Sequence, residues 1–203
     1  MLTSSKKEGF SLIELMITIG VLSLMLLIAL PSMTDWLQTA QIRTAAETAL
    51  SGIQQARSEA ISRNSLVRFQ FVTNLSSTCA LDSAGPDWVV SMDDANGLCD
   101  VAFSDTTSPR IRQTKLGAEG APNSTVSATG AGLPASVIVF NGIGRVSGAG
   151  NIDVIDIANP TGGACQHAAS AGPMRCLRIQ IAPGGDVRLC DPKVNDATDI
   201  RIC

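Results

Sequence analysis

Three hydrophobic patterns follow one another along this chain, and each predicts a different kind of element. Phe10 to Leu30, FSLIELMITIGVLSLMLLIAL, is apolar almost throughout and follows a polar stretch, MLTSSKKEG, that carries Lys6 and Lys7. As a helix this run would reach about 31 Å, enough to cross a hydrocarbon core of about 30 Å, whereas the apolar part of a secretory signal has only about 7–15 residues. The pattern predicts a membrane-spanning helix, and the two lysines ahead of it place the N-terminus in the cytoplasm and the bulk of the chain outside.

Beyond Pro31 the apolar positions narrow to a stripe. Ile42, Ala46, Ala49, Ile53, Ala56 and Ala60 recur at three- and four-residue steps, with Gln41, Arg43, Glu47, Gln55 and Arg57 interleaved. This predicts an amphipathic continuation of one helix, from about Ser11 to Arg63, with the stripe laid against a globular head. Proline lacks an amide hydrogen and crowds the preceding turn, so a bend or local unwinding is expected near Ala29 to Pro31. Glu59 and Arg63 stand four apart and predict an exposed helix ion pair.

After Asn64 the period falls to two. Leu66 to Val72 alternates Val67, Phe69 and Phe71 with Arg68 and Gln70, the pattern of a strand. Further strands are expected at Trp88 to Met92, Ser136 to Phe140, Ile152 to Ile157, Cys176 to Ile181 and Asp186 to Cys190, paired antiparallel. Residues 177 to 190 read as a hairpin that turns at Pro183, Gly184 and Gly185. Asp105 to Pro134 has weak periodicity and reads as a long surface excursion with one short edge strand around Arg110 to Leu116. The fold class expected is α+β, a long N-terminal helix packed on an antiparallel β-sheet head.

Composition narrows the function. Aromatic residues make up 3% of the chain, tyrosine is absent, and the net charge is -3. Base-stacking platforms and a global positive field for nucleic acid are therefore poorly supplied. The one histidine, His167, rules out multi-histidine metal sites, and no metal or other cofactor is expected. Ser170 near His167 is the kind of coincidence a Ser-rich loop produces, so no catalytic residues and no small-molecule substrate are assigned. The glycine pairs Gly142/Gly144 and Gly184/Gly185 lack the Lys-Ser/Thr ending of a phosphate loop and read as turns. Six dispersed cysteines, none in a CxxC pair, point to disulfides and an oxidising compartment rather than to zinc. Pairing between sequence neighbours is expected: Cys79–Cys99, Cys165–Cys176 and Cys190–Cys203.

One residue interrupts the apolar run. Glu14 would cost a few kcal/mol in lipid and needs a cation at its own depth. Cleavage between Gly9 and Phe10 would create one, because the new α-amine of a neighbouring subunit could pair with the Glu14 carboxylate. The segment G-F-S-L-I-E-L-M resembles the class III signal of type IV pilins and type II secretion pseudopilins. That resemblance implies a prepilin peptidase that cuts after Gly9 and methylates the new N-terminus at Phe10, an assembly role for Glu14, and a helix-kinking role for Pro31.

Further segments carry a narrower resemblance. Ala56-Arg57-Ser58-Glu59-Ala60, Val67 to Phe71, V-F-N-G-I-G-R-V from Val139 and L-C-D-P from Leu189 are similar to the GspH/FimT family, which includes FimT/FimU-type minor pilins. The chain is then expected to divide into a cleaved leader (1–9), a transmembrane and assembly helix (10–30), its amphipathic continuation (31–63) and a disulfide-containing head (64–203). The implied partners are other major and minor pilins, the prepilin peptidase and the inner-membrane assembly platform. The implied location is the bacterial inner membrane with a periplasmic head, then the surface pilus. The implied function is a minor pilin of a priming or tip complex, with a type II secretion pseudopilin of the GspH kind as the alternative. FimT-like proteins are also implicated in DNA uptake through a G-R-x-R element. Here Gly185-Asp186-Val187-Arg188 puts an acid at the first arginine and Gly144-Arg145-Val146-Ser147 a serine at the second, so DNA contact would fall to Arg145, Arg188 and Arg201.

Overall fold

A computed structural model describes residues 11–167 and 170–203, apart from the side chains of 27–32, 167, 170 and 171. The leader, Gly9 and Phe10 lie outside the described residues. The chain divides into two units, Met1–Leu37 and Gln38–Cys203, and one helix, α1 (Leu12–Arg63), contributes residues to both.

In the first unit α1 exposes its apolar side chains, Leu12, Ile13, Leu15, Met16, Ile17 and Ile19 among them. Thr18 and Ser23 return their hydroxyl hydrogens to the carbonyls of Leu15 and Ile19, which satisfies those hydroxyls without solvent. Helix continues through Pro31 without a break. Among the described residues no helix is long and apolar enough to cross a membrane; Phe10 and the side chains of 27–30, which complete the apolar run, are not among them.

In the second unit the predicted stripe is the buried face of the helix. Ile42, Ala46, Ile53, Ala56 and Ala60 are wholly inaccessible, and Ala49 almost so. The helix stops where Asn64 turns to φ 48°, and Ser65 N–H closes the last turn onto the Ala60 carbonyl at 3.2 Å. Among the described residues eleven strands follow: β1 (Val67–Val72), β2 (Asp87–Ser91), β3 (Ile111–Lys115), β4 (Thr125–Gly130), β5 (Leu133–Pro134), β6 (Val137–Phe140), β7 (Val154–Ala158), β8 (Gln166–His167), β9 (Ser170–Ala171), β10 (Leu177–Ile181) and β11 (Val187–Cys190).

They form two principal sheets where one was expected, in the orders β3-β2-β1-β6 and β11-β10-β7-β4-β5, with β8 and β9 as a separate pair. All the named pairings are antiparallel; β10 and β11 make the expected hairpin, with Ile179 opposite Leu189. The helix stripe, Phe69 and Phe71 of β1, Trp88 of β2, Phe140 of β6, and Ile155, Ile157 and Ile179 of the second sheet share one core.

Two further expectations need correction. The stretch Asp105 to Pro134 contains the expected edge strand, β3, but also β4 and the two-residue β5 at the edge of the second sheet; β4 lies inside that sheet with Ala128 opposite Ile155. The inward positions of β4, Val126, Ala128 and Gly130, carry so little apolar bulk that the alternation was faint. Gln70, read as a polar outward residue of β1, is fully buried, because the loop bearing Cys79 and Cys99 covers the second face of the first sheet. Both ends of its amide are bonded there. Oε1 accepts from Ser91 Oγ (3.1 Å) and Ala95 N–H (3.0 Å), and Nε2 donates to Asp94 (2.9 Å).

Candidate functional site

The residues of interest fall at the start of the helix and on the head. Glu14 lies in the first turn of α1, exposed between Ile13 and Leu15, and its N–H donates to the Ser11 carbonyl at 3.0 Å. No cation pairs with its carboxylate among the described residues. Near a helix N-terminus a carboxylate also complements the unpaired amide groups.

On the head, three sequence-distant segments meet at one helix residue. Arg57 Nε donates to the Gly144 carbonyl at 3.1 Å and its Nη1 lies 3.4 Å from Asp186 Oδ1. Val146 N–H donates to the Pro183 carbonyl at 3.2 Å, which joins the N-G-I-G-R-V turn to the hairpin turn. Gly185, at φ 86°, is required twice over, since a Cβ there would stand 1.9 Å from the Gly144 oxygen. The Ala56–Ala60 and V-F-N-G-I-G-R-V motifs thus meet, with the hairpin turn, in a docking joint between two turns and the helix. Sequence marked each motif but carried no signal that they converge.

The L-C-D-P segment forms a second joint. Cys190 and Cys203 are bonded, as are Cys79 with Cys99 and Cys165 with Cys176. Asp191, nearly inaccessible, accepts from Arg175 Nε at 2.5 Å and from Lys193 N–H at 3.0 Å, while its own N–H donates to the Arg201 carbonyl at 2.8 Å. The C-terminal tail is therefore held by one covalent bond and by Asp191, whose backbone N–H reaches the Arg201 carbonyl and whose carboxylate takes the Lys193 N–H.

A third cluster ties the helix end to the start of the 105–134 segment. The predicted Glu59–Arg63 pair is present at 2.7 Å, and Asp105 and Arg112 extend it into a network of four charges, with Arg63 Nη1 2.8 Å from Asp105. The hydrogen bond from Arg112 holds the Asp105 carboxyl below its usual range, and the bond to Glu59 raises the Arg63 guanidinium.

The arginines considered for DNA contact have different surroundings. Arg201 grips Asp199 with two nitrogens, at 3.0 and 2.6 Å, and that bond holds the Asp199 carboxyl down to about 2. Arg188 donates to Gln180 at 2.9 Å across the hairpin. Arg145 is exposed with no side-chain partner among the described residues. His167 and Ser170 face each other in the backbone register of β8 and β9, and their side chains lie outside the described residues. Among the described residues no group of His, Cys, Asp and Glu is arranged to hold a metal ion.

A long N-terminal helix carried on a disulfide-bonded antiparallel head, behind a Gly-Phe…Glu start, defines a type IV pilin-like protein. The model of the Prokaryotic N-terminal methylation motif matches residues 4–30, and that of Type II transport protein GspH matches residues 45–185, well over half of the chain. The chain belongs to the GspH family. Two crystal structures of the type IV minor pilin FimU of Pseudomonas aeruginosa (strain PAO1) are similar to it at 16% identity. One, with a TM-score of 0.44, covers 72% of this chain and 90% of that one; the other, at 0.40, covers 73% and 87%. No curated protein matches.

Proposed function

We propose that this protein is a prepilin cut between Gly9 and Phe10 and methylated at Phe10, and that it joins a type IV pilus as a minor subunit of a priming or tip complex. Residues 10–30 anchor it in the inner membrane before assembly, with the head in the periplasm, and then pack among neighbouring helices in the filament. Pro31, which removes one helix hydrogen bond within the otherwise unbroken helix, is the place where α1 would bend in that packing. The partners are other pilins, the prepilin peptidase and the assembly platform.

The observation that carries the reading is Glu14, an acid without a partner among the described residues, in a helix turn whose other large side chains are apolar and exposed. In lipid or in a filament core that carboxylate is costly until a cation reaches it, and a neighbour's mature N-terminal amine is a cation at the matching depth. The family model's description favours a second reading, a type II secretion pseudopilin with the same processing and anchor.

Intact mass and N-terminal sequencing of protein recovered from sheared surface filaments test the proposal. The expected product begins at N-methylated Phe10. Gly9→Val should remain uncut, and Glu14→Ala should be cut and membrane-inserted yet absent from filaments. A chain that retains residues 1–9 and stays in the inner membrane under piliating conditions would overturn the proposal.

A further inference from the structure

We infer that Trp36 is an interfacial anchor, its indole seated in the lipid headgroup layer at the outer face of the bilayer, with Met33 and Leu37 beside it. The inference rests on the membrane reading of residues 10–30. Met33, Trp36 and Leu37 stand at i, i+3 and i+4 on α1 and so share one face, and they are 60%, 66% and 50% exposed.

Their position along the axis selects the occupant. Trp36 lies six residues beyond Leu30, about 9 Å past the end of the apolar run. The headgroup layer occupies about 5–8 Å on each side of the hydrocarbon core. Helical side chains lean toward the N-terminus and cover the preceding turn, which brings the indole back from its Cα into that layer. An apolar ring with one N–H donor suits a layer that is greasy on one side and wet on the other. Thr34, Asp35 and Thr39 fill neighbouring positions with polar groups, as expected where the chain leaves lipid. The other tryptophan, Trp88, is 2% exposed in the head and serves as an internal reference.

The test uses the full-length protein in phosphatidylcholine/phosphatidylglycerol vesicles whose acyl chains are brominated at either a shallow or a deep position. Shallow bromine should remove about half of the tryptophan emission, the share of one ring of two, and quench about twofold more than deep bromine. Trp36→Leu should float with the vesicles equally well and lose this quenching. A protein that floats but is quenched by bromine at neither depth overturns the anchor and leaves the membrane reading standing. Stronger quenching by deep bromine puts the indole in the hydrocarbon and also overturns it. Failure to float overturns the membrane reading and the anchor together.

Discussion

Replacing Gly52 by alanine tests how closely the helix is seated on the head. A Cβ at that position would stand 2.7 Å from Trp88 Cη2, 2.8 Å from Trp88 Cζ3 and 3.0 Å from Phe69 Cε2. Neither ring has room to withdraw, for both are buried and their centroids are already 5.4 Å apart. Overpacking of this kind costs about 1–3 kcal/mol, while alanine in place of glycine inside a helix returns about 1 kcal/mol. The net expectation is a loss of about 0–2 kcal/mol, so the single variant alone discriminates poorly at its lower end. A double-mutant cycle removes that weakness. In a Trp88→Leu background the two shortest contacts are gone and only Phe69 Cε2 at 3.0 Å remains, so Gly52→Ala should cost less than in the parent by about 1 kcal/mol or more. Urea unfolding of the full chain in detergent, followed by circular dichroism, measures all four corners. Additivity within about 0.5 kcal/mol, or a Gly52→Ala single variant that gains the full helix-propensity increment, would refute the contact.

Other predictions concern the tail and its charges. Cys203→Ser opens a loop closed across 13 residues of sequence separation, worth about 3 kcal/mol on the chain-entropy model. Limited proteolysis should then cut between Asp191 and Ile202 while α1 stays helical, and unchanged cleavage would count against the tail being held by that bond. Asp199 is depressed by Arg201 to about 2, so its contribution to tail order is complete above the ordinary carboxylate range and is lost as the pH falls toward about 2. Carboxyl-carbon NMR should show Asp199 titrating at about 2, and higher in Arg201→Ala, which removes the guanidinium but keeps the backbone N–H of residue 201 on the carboxylate. Asp105 is depressed chiefly by Arg112, so Arg112→Ala should move its titration upward; an unmoved Asp105 would mean the four-charge network does not form in solution.

Where the sequence was legible, one dominant periodicity spoke for the structure. The six apolar positions from Ile42 to Ala60 repeat with the helix, and all six are buried. Strong β-branched and aromatic alternation located β1, β2, β6, β7, β10 and β11 to within a residue or two of their ends. β4 escaped because its inward side chains are small, and β5, β8 and β9 because two residues make no period. Gln70 escaped because alternation assumes one wet face, and the disulfide loop had removed that face from water.

By itself the sequence carried most of the local elements and the N-terminal motif. Periodicity and helix length depend on residues within a few turns of one another, and the Gly9-Phe10…Glu14 signal is read from a contiguous stretch. Only the tertiary structure decided the division of the strands into two sheets, the meeting of Arg57 with the turns at Gly144 and Asp186, the closure of the tail on Asp191, and the Asp105–Arg112 extension of the helix ion pair. These contacts join residues far apart in the chain, and each residue's own neighbours in sequence permit many other partners. The choice among them is made by the packing of the whole head, where a glycine, a buried carboxylate or a four-charge cluster is tolerated at one place and in one arrangement.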